Sequence, residues 1–422
     1  MRKRAFILTA MILLTACSYK KQGDEIATIH LIDKNGFQET ISSPDRISQL
    51  QKNDFLQPQP YEKVTRVYRK NSEGKNESRL TTYHPNGGVY QYLETVGGRA
   101  NGVYKEWYEN GNLRMVAVVI EGIGDITPEA QATFVFDSKN FVYDEEGRLL
   151  AEITYNKGEL EGPSRYYYPN GTLAKIIPYQ QDKIEGTLRL FSKEGNPLGE
   201  TNYHLGVKEG RAFFAGSKES PRKEEEFKNG KLLSATYWDG SEDIVQTISQ
   251  GYGVKPSFEK GILRLEEEIR NGSVEGTIKV YRDNGSVESL YHIHDGQKEG
   301  EEWCYYDKVK GEEPQPMLYI QWQDDEIHGT VRTWYPSGVL ESEKEVSHNK
   351  KQGMALSWYT DGSLMLVEEY ESDKLQQGKY FKRGETSPTS RIIDGSGRAS
   401  LFDGDGNFLR KITYQKGIPT EE

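Results

Sequence analysis

The chain alternates short runs of apolar and aromatic residues with polar, glycine-bearing turns. Runs such as Arg165-Tyr166-Tyr167-Tyr168 and Arg332-Thr333-Trp334-Tyr335 lead into Pro169-Asn170-Gly171 and Pro336-Ser337-Gly338. A second run follows, as in Leu173-Ala174-Lys175-Ile176-Ile177. Aromatic and β-branched residues suit strands, and Asn-Gly tolerates the positive φ of a tight hairpin turn. No stretch between glycines sustains a 3.6-residue apolar period. The pattern predicts strand pairs and no large helices.

The pairs recur at a fixed interval. Gly162, Gly186 and Gly210 stand 24 residues apart, as do Gly276 and Gly300, and Gly329 and Gly353. A second glycine falls nine residues after the first, as in Gly102 and Gly111 or Gly276 and Gly285. Weaker copies keep the register around Tyr83 with Gly87, Tyr143 with Gly147, and Phe402 with Gly406 and Tyr414. Two strands and two turns per period describe a meander built of repeats. The composition agrees: 43 glycines suit many turns, while 11% aromatic residues are too many for a disordered chain.

A two-residue loop at Asn-Gly would set Tyr168 opposite Leu173 and Tyr335 opposite Leu340; a three-residue loop with a bulge exchanges these partners. The ring one position earlier, Tyr167 or Trp334, takes the other face, because side chains alternate along a strand. Aromatic columns are therefore expected on both faces. Trp107, Tyr167, Phe191, Tyr281, Tyr305, Trp334 and Trp358 form the candidate binding face.

These residues carry a family resemblance. The spelling Gly-x4-(Trp/Tyr)-Tyr-x-Asn-Gly-x-Leu, seen in Gly102 to Leu113 and echoed in Trp334-Tyr335-Pro336-Ser337-Gly338-Val339-Leu340, resembles the variant MORN repeat. The resemblance covers most of the chain from about Ser78 onward. It implies an elongated, twisted antiparallel β-hairpin array, all-β in class, acting in protein or lipid association. Many bacterial relatives carry an antitoxin label, so an antitoxin-like or immunity-type binder is one alternative it implies.

The N-terminus adds a location. Arg2, Lys3 and Arg4 precede an apolar run from Ala5 to Ala16, shorter than the roughly 20 residues a spanning helix needs. A basic head and a short apolar core mark a secretory signal. Leu14-Thr15-Ala16-Cys17 resembles the lipobox of bacterial lipoproteins, which implies cleavage before Cys17 and its acylation, palmitate included. Two or more acyl chains anchor stably. Ser18 stands where an aspartate would signal inner-membrane retention, so the outer membrane is the expected destination in a bacterial cell envelope.

The expected organisation is a signal peptide at 1–16 and an anchored N-terminal hairpin with a proline-containing tether at 17–60. A first block of repeats at 61–240, a break or loop at 241–256 and a second block at 257–422 follow. Unpaired end strands offer a route to self-association.

Charge narrows the partners. The net charge is −11, and loss of Arg2, Lys3 and Arg4 with the signal takes it to −14. Nucleic acid, which demands a basic footprint, is excluded. With Cys17 acylated, Cys304 has no disulfide partner and reads as a packed residue.

No catalytic constellation emerges. His292-x-His294 shares a strand face but lacks a sequence-local third ligand, so neither a metal nor another cofactor is expected. Asp403-Gly404-Asp405-Gly406-Asn407 begins like a calcium loop, yet has Phe408 at the sixth position and Tyr414 at the twelfth, where glycine and glutamate belong. Ser220-x-x-Lys223 lacks companion motifs. The chain is therefore expected to bind rather than catalyse, as an envelope scaffold or assembly factor for a protein partner. Glycan binding, for instance to peptidoglycan through the aromatic columns, is the other ligand class.

Overall fold

The computed structural model describes residues 26–216, 220–307 and 313–420. Its regular structure is almost wholly antiparallel strand, and along the repeats successive long strands pair with one another, as the 24-residue period requires. Typical members are Gly162–Tyr167 with Leu173–Gln180, Glu326–Trp334 with Leu340–Ser347, and Lys350–Trp358 with Leu364–Glu371. Cys17 and the signal segment lie outside the described residues.

Two turn chemistries alternate along the meander. At the Asn-Gly turns the loop has three residues. Gly171 N–H bonds Tyr168 O at 2.8 Å, Tyr168 N–H bonds Thr172 O at 2.8 Å, and Gly171 has φ +82°. This is a type I turn closed by a left-handed glycine. A bulge follows, so Tyr167 pairs with Leu173 and Trp334 with Leu340. The bulged alternative holds, and the partners of a two-residue loop do not form. The intervening turns are the two-residue loops, with positive φ at both positions: Asp324-Asp325, His348-Asn349 and Ser372-Asp373. They join the register pairs Gln323/Glu326, Ser347/Lys350 and Glu371/Lys374.

The chain forms two compact units. The first runs to Lys183 and includes Ser192–Gly195; the second comprises Ile184–Phe191 and everything from Asn196. In the first, Leu80, Leu93, Tyr104, Ala117 and Val119 form a core on one sheet face. The insertion after Ile120 folds onto this core through Ile126 and the short helix Pro128–Gln131. In the second unit, one cluster gathers Ala212, Phe227, Ala235, Tyr237, Ile248 and Ile269. Another gathers Tyr370, Leu375, Tyr380, Ile392 and Ala399.

Two expectations about organisation meet a different structure. Residues 42–60 do not form a free tether. They carry the helix Pro44–Leu50, and Ile47 packs with Ile29 and Ile41. Tyr83 donates its hydroxyl to Phe55 O at 2.8 Å, and Gln59 N–H bonds Gly87 O at 2.9 Å. The N-terminal hairpin joins the array, since Ile26–Asp33 pairs with Glu62–Lys70. Likewise 241–256 is not a break: Ile244–Ser249 pairs with Lys231–Trp238 and Tyr252–Glu259 pairs with Ile262–Arg270. Weak repeat spelling hid strands that pair with their neighbours all the same.

Candidate functional site

The register places the candidate aromatic residues by strand alternation. In the second unit a row of paired residues crosses the sheet face opposite the core. Lys279 pairs with Leu290, Leu290 with Trp303, and Trp303 with Tyr319. Tyr319 pairs with Arg332, Arg332 with Glu343, and Glu343 with Leu356. The row continues through Val367 to Lys379 and Arg391. Tyr281, Tyr305, Trp334 and Trp358 each follow a row member by two residues, so all four share this face. Phe191 holds the equivalent place after Arg189, which pairs with Glu200. In the first unit Trp107 and Tyr167 stand two beyond Lys105 and Arg165, on the face opposite Tyr104 and Ser164. All seven are half-buried rather than open.

The structure brings Trp334 together with two residues that sequence reasoning missed, Trp303 and Tyr319. Trp303 and Trp334 stack with ring centroids 5.8 Å apart and planes 25° apart. Trp303 meets Tyr319 at 4.6 Å, and the Arg332 guanidinium sits 5.7 Å from the Tyr319 ring centroid. Glu301 accepts from Trp303 Nε1 at 3.2 Å and from Tyr319 Oη at 3.1 Å. Glu343 accepts from Arg332 Nε at 2.5 Å. Burial and the Glu301 carboxylate push the Tyr319 phenol above its ordinary range. Trp303 shares strand parity with Tyr305, a signal legible in the sequence, but lies outside the repeated aromatic position.

The neighbouring ring of each Trp/Tyr-Tyr pair has a different task. Tyr335 donates its hydroxyl to Trp358 O at 2.9 Å, Tyr359 to Phe381 O at 2.6 Å, and Tyr306 to Trp334 O at 2.5 Å. Tyr108 does the same to Tyr143 O at 3.0 Å. Where the tyrosine is replaced, His84 Nε2 bonds Trp107 O at 3.0 Å. The turn asparagines extend this stitching: Asn86 bonds Glu109 O and Asn170 bonds Lys193 O. Each repeat thus ties its turn to the next one, which is the nearest-neighbour coupling of repeat proteins. It also fixes the backbone carrying the opposite-facing ring.

The remaining candidates resolve into local structure. His294 Nδ1 bonds Glu275 at 2.6 Å, whereas His292 Nδ1 meets Glu301 O at 3.1 Å, so the two histidines do not converge. Glu275, His294 and Asp295 do place donor atoms within 4.8 Å of one another. Similar Glu-His contacts, Glu185 with His204 and Glu326 with His348, hold other two-residue turns. Asp403 accepts backbone N–H groups of Asp405 and Asn407, as an ordinary turn aspartate does. Cys304 is half-buried, and burial raises its thiol pKa. Lys223 lies beside Glu225 at 3.8 Å.

A family model described as the MORN repeat variant matches residues 100–117, 160–181 and 327–348. Each match spans one Asn-Gly-type hairpin with its Trp/Tyr-Tyr pair, so these hairpins are MORN-variant repeats. No curated protein matches the chain. Two solved structures are similar over most of it. The crystal structure of TcdB2-TccC3 is 11% identical over 90% of this chain and 26% of that one, with a TM-score of 0.14. The Photorhabdus luminescens Tc holotoxin pore carrying a TccC3 mutation is 12% identical over 92% of this chain and 28% of that one, with a TM-score of 0.11. This chain spans about a quarter of the length of those it matches.

Proposed function

We propose that the chain is a lipid-anchored protein of the bacterial cell envelope whose repeats form a binding scaffold for a protein partner. The observation that carries the reading is the half-buried group Trp303, Trp334 and Arg332 on the face opposite the core, with Tyr319, itself buried at 4% exposure, packed against Trp303 as its support. Trp, Tyr and Arg dominate the energetic centres of protein interfaces. Here they are prepositioned: the rings stack on one another, and a tyrosine from the preceding repeat holds the Trp334 carbonyl. A rigid aromatic surface loses little side-chain entropy on binding. The scaffold binds and does not turn over its ligand. Cys17 supplies the anchor, and an outer-membrane position follows from Ser18.

The test is retention of envelope proteins by the full chain, against the same chain with Trp303→Ala and Trp334→Ala. Both baits are checked for equal cooperative melting. A partner held by the first and lost by the second supports the reading; equal retention by both removes the aromatic cluster from it. The anchor is tested separately by labelled palmitate, whose incorporation is expected to vanish in Cys17→Ser. Incorporation that survives this change would overturn the lipidation.

The stacked indoles favour one second reading, a glycan laid on Trp303 and Trp334. Quenching or shift of tryptophan fluorescence by peptidoglycan fragments, lost in Trp334→Ala, would support it over a protein partner.

A further inference from the structure

The cross-sheet row changes chemistry along its length. From Trp303 to Arg391 it passes an aromatic end, the compensated pair Arg332-Glu343, the apolar pair Leu356-Val367, and finally two cations. Lys379 and Arg391 are direct register partners and both are exposed. Like charges placed opposite one another destabilise a sheet, and neither makes an ion pair among the described residues. Elsewhere on this face arginines meet carboxylates, as Arg332 does Glu343 and Arg189 does Glu200. A cation pair inside the sheet, rather than beside a turn as Lys228 and Lys231 are, stands out on a chain whose net charge is −11.

The two cations border a cleft of about 390 Å³ whose apolar lining includes Met354, Val367, Ile392 and Ile393. Met354 and Ile393 are solvent-exposed at 40% and 59%. The cleft's two carboxylates, Glu368 and Glu369, make no ion pair with these cations among the described residues. Glu368 receives the hydroxyls of Tyr370 and Tyr380 at 3.0 and 2.7 Å. Glu369 belongs to the neighbouring row, paired with Met354 and Gln377. An arginine beside a lysine presents fork-shaped donors and a point charge, a combination that suits carboxylates.

We propose that this row is the docking track for an extended, acidic-ended segment of the protein partner. The segment lays apolar side chains on the Trp303-Trp334 stack and on Leu356-Val367, and brings carboxylates to Lys379 and Arg391. This rests on the scaffold reading and specifies the partner's chemistry. At roughly 4.8 Å per strand, the seven steps from Trp303 to Arg391 cover about 34 Å. An extended chain of about ten residues spans that distance.

The test uses the full chain with Cys17→Ser, so that no acyl group competes, and a fluorescein-labelled ten-residue probe, Leu-Phe-Gly-Ser-Gly-Leu-Val-Ser-Glu-Glu. Fluorescence anisotropy is expected to show saturable, salt-sensitive binding, weakened at least tenfold by Lys379→Glu with Arg391→Glu. A probe ending in Lys-Lys should recover binding to that doubly inverted chain. Trp334→Ala should weaken the original probe at least tenfold. Absence of saturable binding, or indifference to the double inversion, would overturn the track. So would binding of phosphatidylglycerol vesicles that is lost on inversion while the probe is ignored, since that assigns the cations to a lipid surface. Partner retention that survives the inversion but fails with Trp303→Ala and Trp334→Ala would remove the track and leave the scaffold standing.

Discussion

The hydroxyl of Tyr335 reaches the backbone carbonyl of Trp358, 23 residues ahead, at 2.9 Å. One tyrosine thereby closes its own turn through its backbone and clamps the next repeat through its side chain. This explains why the pair Trp/Tyr-Tyr recurs. The first ring faces away from the core, and the second holds in place the strand that carries the next first ring.

Removal of such a clamp has a defined cost. Tyr335→Phe is expected to destabilise the second unit by about 1 kcal/mol, the net value of an ordinary hydrogen bond. Tyr359→Phe should cost more, about 1–3 kcal/mol, because Tyr359 is fully buried and its bond to Phe381 O is shielded from water. Urea unfolding of the two variants checks the order; equal losses would contradict it.

The repeat glycines are not equivalent. Gly276 has φ +103°, and a Cβ there would stand 2.7 Å from Glu268 Cδ. Glu268 would have to leave the Thr277 N–H that it accepts at 2.8 Å. Gly171 has φ +82° with no atom within 4 Å of an added Cβ. Gly171→Ala should therefore cost only the left-handed strain of about 1–2 kcal/mol, and Gly276→Ala measurably more. The comparison of melting temperatures decides it.

The Glu275-His294 contact gives the turn at Asp295 a pH window. The Glu275 hydrogen bond, and then its charge, raise the His294 pKa above 6.5. The same bond holds Glu275 below 4.5. The histidine contribution is complete below pH 6.5 and is lost as pH rises through its raised value. The glutamate contribution is complete above pH 4.5 and is lost as pH falls through its lowered value. Their joint effect is thus greatest between about pH 4.5 and 6.5. In an NMR titration the His294 midpoint should lie above 6.5 and drop back in Glu275→Gln; an unmoved midpoint would refute the pairing.

Core and surface leucines should separate cleanly. Leu375 has no exposed surface and packs with Tyr370, Tyr380 and Ile392. Leu409 is 59% exposed. Leu375→Ala is expected to cost about 2–5 kcal/mol through lost burial and the cavity left behind, and Leu409→Ala within about 0.5 kcal/mol. Denaturant unfolding followed by tyrosine fluorescence measures both.

The sequence by itself determined the architecture. Period-two apolar patterning, the 24-residue spacing and glycine at fixed offsets specify strands, turns and their order, because backbone pairing between sequence neighbours depends on local chemistry. It also set Trp334 and Tyr335 on opposite faces, without deciding which of the two faces the core. It did not distinguish the two turn classes, since Asn-Gly suits either a two-residue loop or a three-residue loop with a left-handed glycine. Nor did it reveal that 42–60 folds onto the sheet: proline-rich spelling reads as a tether until Tyr83, distant in sequence, accepts it as a packing partner. Trp303, Tyr319, Lys379 and Arg391 became one row only through tertiary structure. Cross-strand neighbours are set by register, and a single bulge shifts every pairing beyond it.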